Sequence, residues 1–322
     1  MNPLQHPLCR RLMLSLLTAT LCSGQLVQFR GPDSGLVYDP PTQSLRSIAG
    51  LIGAARMGDA IVQEVEWASV APNGRTAFYR KGGKILSLTP AGQVKEAPIS
   101  QVADPEEVFW GAGSGTALLV WTRAKLTQRL EIDAAGAITS DGVQTLELDG
   151  EITAVTGAND GRIFAAVAGR GVYLADARKG TSRMLLPMAS CQALSSSSDG
   201  TELWAVDGER GVLYRIGTGD EQPSVVTTDP ERLTGVSRLA MSSNQIDLLL
   251  ANPHTRKLYL YGASSRSLTE VAALEAPVTQ LRPLGRETLF LLSVRTTKAE
   301  TVQLYDDARG DVFFVPFVGG EQ

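Results

Sequence analysis

Histidine is nearly absent from this sequence, which has only His6 and His254 among 322 residues. A Ser-His-Asp triad needs an imidazole base, and zinc sites rely largely on histidine and cysteine ligands. His254 lies in an Asn-Pro-His-Thr-Arg segment, a composition that is typical of a surface turn. The sequence therefore offers little for triad or zinc chemistry.

Cysteine is also scarce. Cys9 and Cys22 fall in the first 24 residues, and Cys191 is the third. If the first two leave with a cleaved leader, Cys191 stands alone and no internal disulfide framework can form. It lies eight residues before Asp199, an offset that elsewhere in the chain holds an apolar residue. We expect Cys191 to act as a small buried hydrophobe rather than as a nucleophile.

Basic clusters and long apolar runs are missing as well. The formal net charge is -4, which gives no electrostatic footprint for nucleic acid. After the leader, no stretch approaches the roughly 18 uncharged apolar residues of a membrane-spanning helix. With 43% hydrophobic and 20% charged residues, the composition is that of a packed globular protein.

Residues 1–24 have the order of segments found in a secretory signal peptide. Arg10 and Arg11 precede an apolar run from Leu12 to Leu21, and Cys22-Ser23-Gly24 supplies small residues for cleavage. We predict cleavage near Gly24 and a periplasmic or secreted product. The alternatives are a retained short anchor and lipidation at Cys22, although Leu21 occupies the place where a lipoprotein site has a small residue.

The rest of the chain is repetitive. A turn signal precedes a short apolar run at six places, Asn73-Gly74, Gly113-Ser114-Gly115, Asn159-Asp160-Gly161, Ser198-Asp199-Gly200, Ser243-Asn244-Gln245 and Gly285-Arg286. Equivalent positions recur every 39 to 46 residues. Asn-Gly and Asp-Gly favour the positive φ angles of tight hairpins, so each site is predicted to join two antiparallel strands.

A second hairpin signal follows about fifteen residues later in each unit, for example KILSL then TPAG, and LYLY then GASSR. Two hairpins per unit give four strands, which is the blade of a β-propeller. One such sheet cannot cover both of its own faces, so several blades must stack around a centre. Residues 25–322 are thus predicted to form a single all-β propeller domain.

The N-terminal unit is incomplete. Gly35–Tyr38, a turn, and Ser44–Ile48 look like a further copy of the second hairpin only, with the first hairpin missing or reduced to a strand around Leu26–Phe29. A turn of helix is predicted near Leu51–Met57. The repeat length favours seven blades with an incomplete N-terminal blade; six blades with a closing N-terminal hairpin is the alternative.

The repeats resemble known bacterial propeller families. The segments LVYDPPTQSLRSI, VYLADARKGTSRMLL and VQLYDDARGDVFFV are similar to the outer strand pairs of NHL, YVTN and related repeats. SSSDGTELWAV and VAPNGRTAFY are similar to the inner turn of the same families. The resemblance covers almost the whole mature chain, and it implies a scaffold rather than a particular activity.

A mixed polar set lies on the predicted innermost strands, where side chains face the central channel. These candidate ligand-binding residues are Glu66, Thr153, Gln192, Arg238 and Gln280. Lactonase-like propellers hold a divalent metal in this channel with Glu, Asn and Asp oxygens. Here Asn73, Asn159 and Asn244 are assigned to turns, so that metal site is not reproduced. We expect no catalytic residue, metal or cofactor, and solvated channel walls are the simpler interpretation.

Two functions remain open. The first is a non-enzymatic exported binding or scaffolding protein that uses the propeller loops to recognise a ligand, another protein or a cell-envelope component. The alternative is a lactonase-like, metal-dependent hydrolase with its site in the channel. A quinone-dependent dehydrogenase ranks last, because its regular tryptophan docking repeats are missing.

Overall fold

A computed structural model describes residues 33–51, 53–99, 103–111, 113–219, 221–242 and 244–317, without the side chains of residues 33, 286 and 287. The predicted signal peptide 1–24, Cys22 and the predicted strand around Leu26–Phe29 lie outside these residues. Within them, the chain forms seven antiparallel sheets in chain order.

The strand bounds follow one plan in every sheet, which we call a blade. Blade 1 has three described strands, β1 Asp33–Asp39, β2 Ser44–Ala49 and β3 Arg56–Gln63. The other six have four each. Blade 2 comprises β4 Trp67–Val70, β5 Ala77–Lys81, β6 Lys84–Leu88 and β7 Val94–Glu96. Blade 3 comprises β8 Glu107–Trp110, β9 Thr116–Trp121, β10 Leu126–Ile132 and β11 Ile138–Thr145. Blade 4 comprises β12 Ile152–Gly157, β13 Ile163–Val167, β14 Gly171–Asp176 and β15 Thr181–Pro187.

The remaining three blades repeat the same four-strand order. Blade 5 comprises β16 Ala193–Ser196, β17 Glu202–Asp207, β18 Val212–Gly217 and β19 Ser224–Thr228. Blade 6 comprises β20 Arg238–Met241, β21 Leu248–Asn252, β22 Lys257–Gly262 and β23 Ser267–Ala273. Blade 7 comprises β24 Arg282–Leu284, β25 Arg286–Ser293, β26 Val302–Asp306 and β27 Asp311–Val315. A single helical turn, α1 Pro230–Leu233, and a 3-10 turn, Pro40–Thr42, are the helical elements of the described residues.

The inner turns, which join the first and second strands of blades 2 to 7, carry the repeat predicted from the sequence. Among its described residues each turn contains one with positive φ, and these residues are Gly74, Ser114, Gly161, Gly200, Gln245 and Gly285. The asparagine that precedes Gly74 contributes differently from the prediction. Asn73 does not itself adopt positive φ, and its Oδ1 instead accepts hydrogen bonds from the backbone N–H groups of Arg75 and Thr76, both at 2.9 Å.

The register predicted for the N-terminal blade is wrong by one strand. Gly35 meets the inner-turn glycines Gly74 and Gly285, so β1 occupies the second-strand position of its blade. The hairpin between β1 and β2 therefore joins the second and third strands of the blade, and we call this hairpin the middle hairpin. Strand β3 is then the fourth strand, which we call the outer strand. Near Leu51–Met57 the structure has a single turn, in which the backbone N–H of Ala54 donates to the carbonyl of Leu51 at 2.9 Å, and the second half of the predicted segment belongs to β3, which begins at Arg56. The register was misassigned because the hairpin between the second and third strands and the hairpin between the third and fourth strands have similar turn residues in this chain.

Seven hydrophobic clusters fill the spaces between neighbouring blades of the described chain. Adjacent residues of β1 serve two of them. Leu36 packs with blade 2 and Val37 packs with blade 7, since successive side chains of a strand point to opposite faces. Because blade 1 is thus packed on both sides, the blades form a closed ring. The prediction of an all-β, seven-bladed propeller with an incomplete N-terminal blade is confirmed.

A buried ion pair closes the ring between blades 7 and 1. Arg295, 1% exposed, donates from Nε and Nη2 to the two carboxylate oxygens of Asp39 at 2.5 and 2.7 Å. Its guanidinium lies 4.2 Å from the ring centre of Phe317, and Arg46 lies 4.8 Å from the same ring. Two opposite charges buried together in bidentate geometry tie chain positions 256 residues apart.

None of the helical segments that the structure describes has the length and apolar character needed to cross a membrane.

Candidate functional site

The repeated strand order gives the ring two distinct ends. The first strand of each four-stranded blade is innermost, and the first strands of blades 3 to 6 contact those of their neighbours within this series. All first strands run in the same sense, so their starts lie together at one end, with the middle hairpins. We call this end the upper face. The inner turns and the turns between third and fourth strands, the outer turns, lie at the opposite end, the lower face.

The five sequence-predicted residues lie at equivalent places on the upper face. Glu66, Gln192 and Gln280 come one or two residues before an innermost strand. Arg238 is the first residue of β20, and Thr153 is the second residue of β12. The first-strand starts of blades 2, 4, 5, 6 and 7 are therefore each marked by one of these side chains. Whether they bind a ligand stays a prediction.

Hydrogen bonds already engage some of these groups. The hydroxyl of Thr153 donates to the carbonyl of Cys191 in the next blade at 2.9 Å. Arg238 donates to the carbonyls of Ser237 at 2.9 Å and Thr279 at 3.3 Å, so its contacts are with backbone oxygens rather than with a carboxylate. The side-chain Oε1 of Gln280 is buried and has no hydrogen-bond partner in the described structure. Gln280 thus has unused hydrogen-bonding capacity, and no side-chain hydrogen bond engages Glu66 or Gln192 within the described structure.

Two further charged residues lie at this end of the channel, and neither is among the five predicted from the sequence. Glu107 is the first residue of β8, and Arg282 is the first residue of β24. Glu107 lies eight residues before Gly115, the same offset that separates Glu66 from Gly74, so the repeat could have identified it. Arg282 lies three residues before Gly285, because blade 7 has a shortened inner turn, and the offset fails there.

These charges interact across the channel. Blade 3, which carries Glu107, lies opposite blades 6 and 7 in a seven-membered ring, yet Glu107 interacts electrostatically with both Arg238 and Arg282. Burial raises the pKa of the Glu107 carboxyl above its usual 4.5, and this effect outweighs the two arginines, which lower it. Glu107 nevertheless keeps contact with solvent. A side chain surrounded by protein but open to water is what a narrow channel produces.

Arg282 is the most desolvated cation of the site. Burial lowers the pKa of its guanidinium to about 10, against the opposing influence of Glu107. No hydrogen bond or ion pair within 4 Å links Arg282 to another described residue. A cation that loses water without gaining a hydrogen-bonded partner is destabilised. The upper end of the channel therefore holds the arginines Arg238 and Arg282, the carboxyls of Glu66 and Glu107, and one unpaired amide oxygen.

Cys191, in contrast, lies in the core as expected. It is free and 5% exposed in the cluster between blades 4 and 5, and burial raises the pKa of its thiol to about 12. A thiol with this pKa is not a nucleophile at neutral pH. In the residues that the structure describes, no group of three or more His, Cys, Asp or Glu side chains is placed to hold a metal ion.

Solved structures with the same architecture are numerous. A streptogramin B lyase structure matches with a TM-score of 0.52 at 15% identity, covering 91% of this chain and 94% of the other. A proposed 6-phosphogluconolactonase from Bacteroides uniformis ATCC 8492 matches with a TM-score of 0.58 at 13% identity, covering 88% and 94%. A catalytically inactive virginiamycin B lyase from Staphylococcus aureus, with quinupristin, matches with a TM-score of 0.52 at 15% identity, covering 78% and 83%.

The likeness shows a β-propeller. At these identities it shows the fold alone, because one propeller scaffold carries many unrelated activities. No protein-family model and no curated protein matches the chain. The resemblance to NHL and YVTN repeats therefore stays a prediction as to type, while the propeller itself is established.

Proposed function

We propose that this protein is an exported, non-enzymatic binding module that captures a small anion at the upper end of its channel. The ligand carries a carboxylate or phosphate for Arg282 and Arg238. It also carries a hydrogen-bond donor, such as a hydroxyl, for the unpaired Oε1 of Gln280. Concave sites with a few convergent polar groups are where folds of this kind bind small molecules.

The observation that carries the proposal is the unpaired state of Arg282 among the described residues. Surrounding protein lowers the pKa of its guanidinium to about 10, and the side chain is partly buried. Arginine binds carboxylate and phosphate through paired, charge-assisted hydrogen bonds. An anion at this position would replace the lost water contacts, and Arg238 would add a second positive charge.

The proposal is tested by titrating the mature chain with citrate, D-gluconate and glucose 6-phosphate in a calorimeter. We expect at least one of these anions to bind, and Arg282→Gln to lower its affinity by about tenfold or more, since a charge-assisted hydrogen bond contributes about 1.5–3 kcal/mol. The matched control is Arg309→Gln. Arg309 lies in the outer turn of blade 7, on the lower face, and its side chain is 60% exposed, so this variant loses the same charge away from the upper end of the channel.

The alternative function, a lactonase-like hydrolase, gives a different result in the same experiment. It requires a bound divalent metal and turnover of a lactone, with the metal rather than Arg282 governing affinity. Binding that survives Arg282→Gln but is removed by a chelator would contradict the binding-module proposal, as would the absence of binding by all three anions.

Export forms a separate part of the proposal. Its support is the sequence of residues 1–24, and its experiment is fractionation of expressing bacteria with N-terminal sequencing of the product. We expect the chain in the periplasm or medium, beginning near Gln25. A cytoplasmic chain that retains Arg10 and Arg11 would overturn this part alone. We also propose that, in the cell, the anionic group is carried by another protein or by a component of the cell envelope.

A further inference from the structure

A groove opens on the lower face between blades 5 and 6, at the end of the ring opposite Arg282. Its volume is about 720 Å³, within the range of ligand-binding sites in proteins. Strands β17, β18 and β19 form one wall, and the inner and outer turns of blade 6 form the other. The residues used below all line it: Trp204, Arg215, Val225, Ile246 and Arg266.

The outer strand of blade 5 differs from every other outer strand that the structure describes. The sequence of β19 is SVVTT, without a charge or a proline. The outer strands of the other six blades each contain at least one charged residue, in the sequences RMGDAIVQ, VKE, ITSDGVQT, TSRMLLP, SLTEVAA and DVFFV. Charges and prolines on an edge strand prevent pairing with another chain. Strand β19 lacks this protection, and its valines and threonines favour strand pairing.

Apolar side chains are exposed next to this edge. Val225 of β19 is 59% exposed and Ile246 of the blade 6 inner turn is 56% exposed. Both line the groove, on its opposite walls. An apolar side chain placed between them would remove apolar surface of both from water.

Trp204 provides an independent sign that the groove is incomplete. The side chain is 4% exposed, and its indole Nε1 has no hydrogen-bond acceptor among the described residues. The indoles of Trp110 and Trp121, by comparison, donate to Ser69 at 3.0 Å and to the carbonyl of Ala103 at 2.9 Å. Buried polar groups in native proteins are almost always paired. A carbonyl group inserted beside Trp204 would supply the missing acceptor.

Two of the charges that line the groove have no ion pair in the described structure, the carboxylate of Asp199 on the blade 5 side and the guanidinium of Arg266 on the blade 6 side. Arg215 is hydrogen-bonded to Glu202, and the carboxylate of Asp199 accepts from Ser197 and Thr201 within its own turn. Arg266, exposed on the outer turn of blade 6, has no ion pair in the described structure. An occupant with an acidic group near Arg266 would therefore be favoured over a basic one.

From these features we infer that β19 and the adjacent groove bind an extended acidic peptide segment of another protein. The segment pairs with the edge of β19 as an added strand, places an apolar side chain between Val225 and Ile246, and presents an Asp or Glu to Arg266. Added strands obtain affinity from main-chain hydrogen bonds and specificity from alternate side chains. The groove is on the lower face and the proposed anion site is at the upper end of the channel, so the two sites do not depend on each other.

The test begins with a random dodecapeptide library displayed on phage and selected against the mature full-length chain. We expect a consensus with an apolar residue flanked by Asp or Glu. The synthetic consensus peptide is then titrated against Val225→Lys, which places a charge on the edge of β19, and we expect a loss of affinity of about tenfold or more. The matched control is Val94→Lys, the same substitution at a 39% exposed position on β7, the outer strand of blade 2.

A charge-reversal variant makes the assignment specific. Selection against Arg266→Glu is expected to yield a consensus with Lys or Arg in place of the acid. Failure to enrich any peptide, or a consensus peptide that binds Val225→Lys as tightly as the unchanged chain, would overturn the inference. So would a concentration-dependent dimer of the mature chain that Val225→Lys abolishes, because a second copy would then be the occupant.

Discussion

At the scale of single residues, function and stability both depend on how buried charges are compensated. The charges of Arg295 and Asp39 compensate each other through two hydrogen bonds, and the Arg295 guanidinium also packs on the ring of Phe317. Arg282 has no such partner in the described structure, although burial lowers its pKa to about 10. The first pair is complete, and we expect it to stabilise the fold. The second residue is not paired, and it is the residue proposed to bind a ligand.

The carboxyl of Glu107 should weaken anion binding, since it competes with the ligand for the two arginines. We expect Glu107→Gln to raise the affinity for the anion by about fivefold, corresponding to about 1 kcal/mol for charges interacting through a partly aqueous medium. Calorimetric titration of the variant measures the change. Glu231→Gln, an exposed substitution on α1, is the control and should leave the affinity unchanged. Weaker binding by Glu107→Gln would mean that the carboxyl contacts the ligand directly.

Loss of Arg295 should destabilise the whole protein. Arg295→Ala leaves the buried carboxylate of Asp39 without its main partner, so we expect the free energy of unfolding to fall by about 3–5 kcal/mol. Urea denaturation at pH 7 measures the loss. Arg309→Ala is the control, because Arg309 has a 60% exposed side chain and its ion pair with Asp306 spans 3.6 Å. A loss no larger than that of the control would show that the closing pair contributes nothing.

The same pair fixes a pH dependence. Burial alone would raise the pKa of Asp39, but hydrogen bonds from Arg295 and Thr42 outweigh burial and lower it below 3.8. The stabilisation is therefore fully present above that value and is lost as the pH falls through the lower, folded-state pKa. We expect the difference in unfolding free energy between the unchanged chain and Arg295→Ala to shrink as the pH falls below 3.8. A difference that grows on acidification would contradict the assignment.

At the scale of the strand and turn, the sequence predicts most of this fold. The positive-φ residues of the inner turns recur because every blade needs the same reversal, so Gly74, Gly161 and Gly200 could be read directly from the repeat. Glu107 was predictable from its offset to Gly115. The strand register of the N-terminal blade was not predictable, because the turn after β1 resembles the outer turns of other blades. Arg282 was missed because blade 7 shortens the turn on which the offset depends.

The inner-turn glycines of blades 2 and 7 make a contact that no larger residue allows. A Cβ atom on Gly74 would lie 2.8 Å from the Cα atoms of both Gly35 and Gly285, and its φ is +65°. Gly82 has a similar φ of +58°, but open space surrounds it. We expect Gly82→Ala to cost about 1–2 kcal/mol from backbone strain alone, and Gly74→Ala to cost more, because backbone must also move. Urea denaturation compares them, and equal losses would refute the close approach of the three turns.

At the scale of the whole molecule, one ring presents two different faces. The upper face gathers the charged starts of the innermost strands, while the lower face carries the groove beside β19. The pairing of Asp39 with Arg295 and the packing of β1 against blades 2 and 7 could not be predicted from the sequence, because they join the two ends of the chain. Their consequence is a closed ring, in which Glu107 interacts electrostatically with Arg238 and Arg282 on the opposite blades.

The most direct measurement is a crystal structure of the mature chain with the anion that binds most tightly in the titrations. We expect electron density for that anion at the upper end of the channel, with its carboxylate or phosphate within hydrogen-bond distance of the Arg282 guanidinium. Density for the anion elsewhere on the ring, with Arg282 in contact only with water, would contradict it.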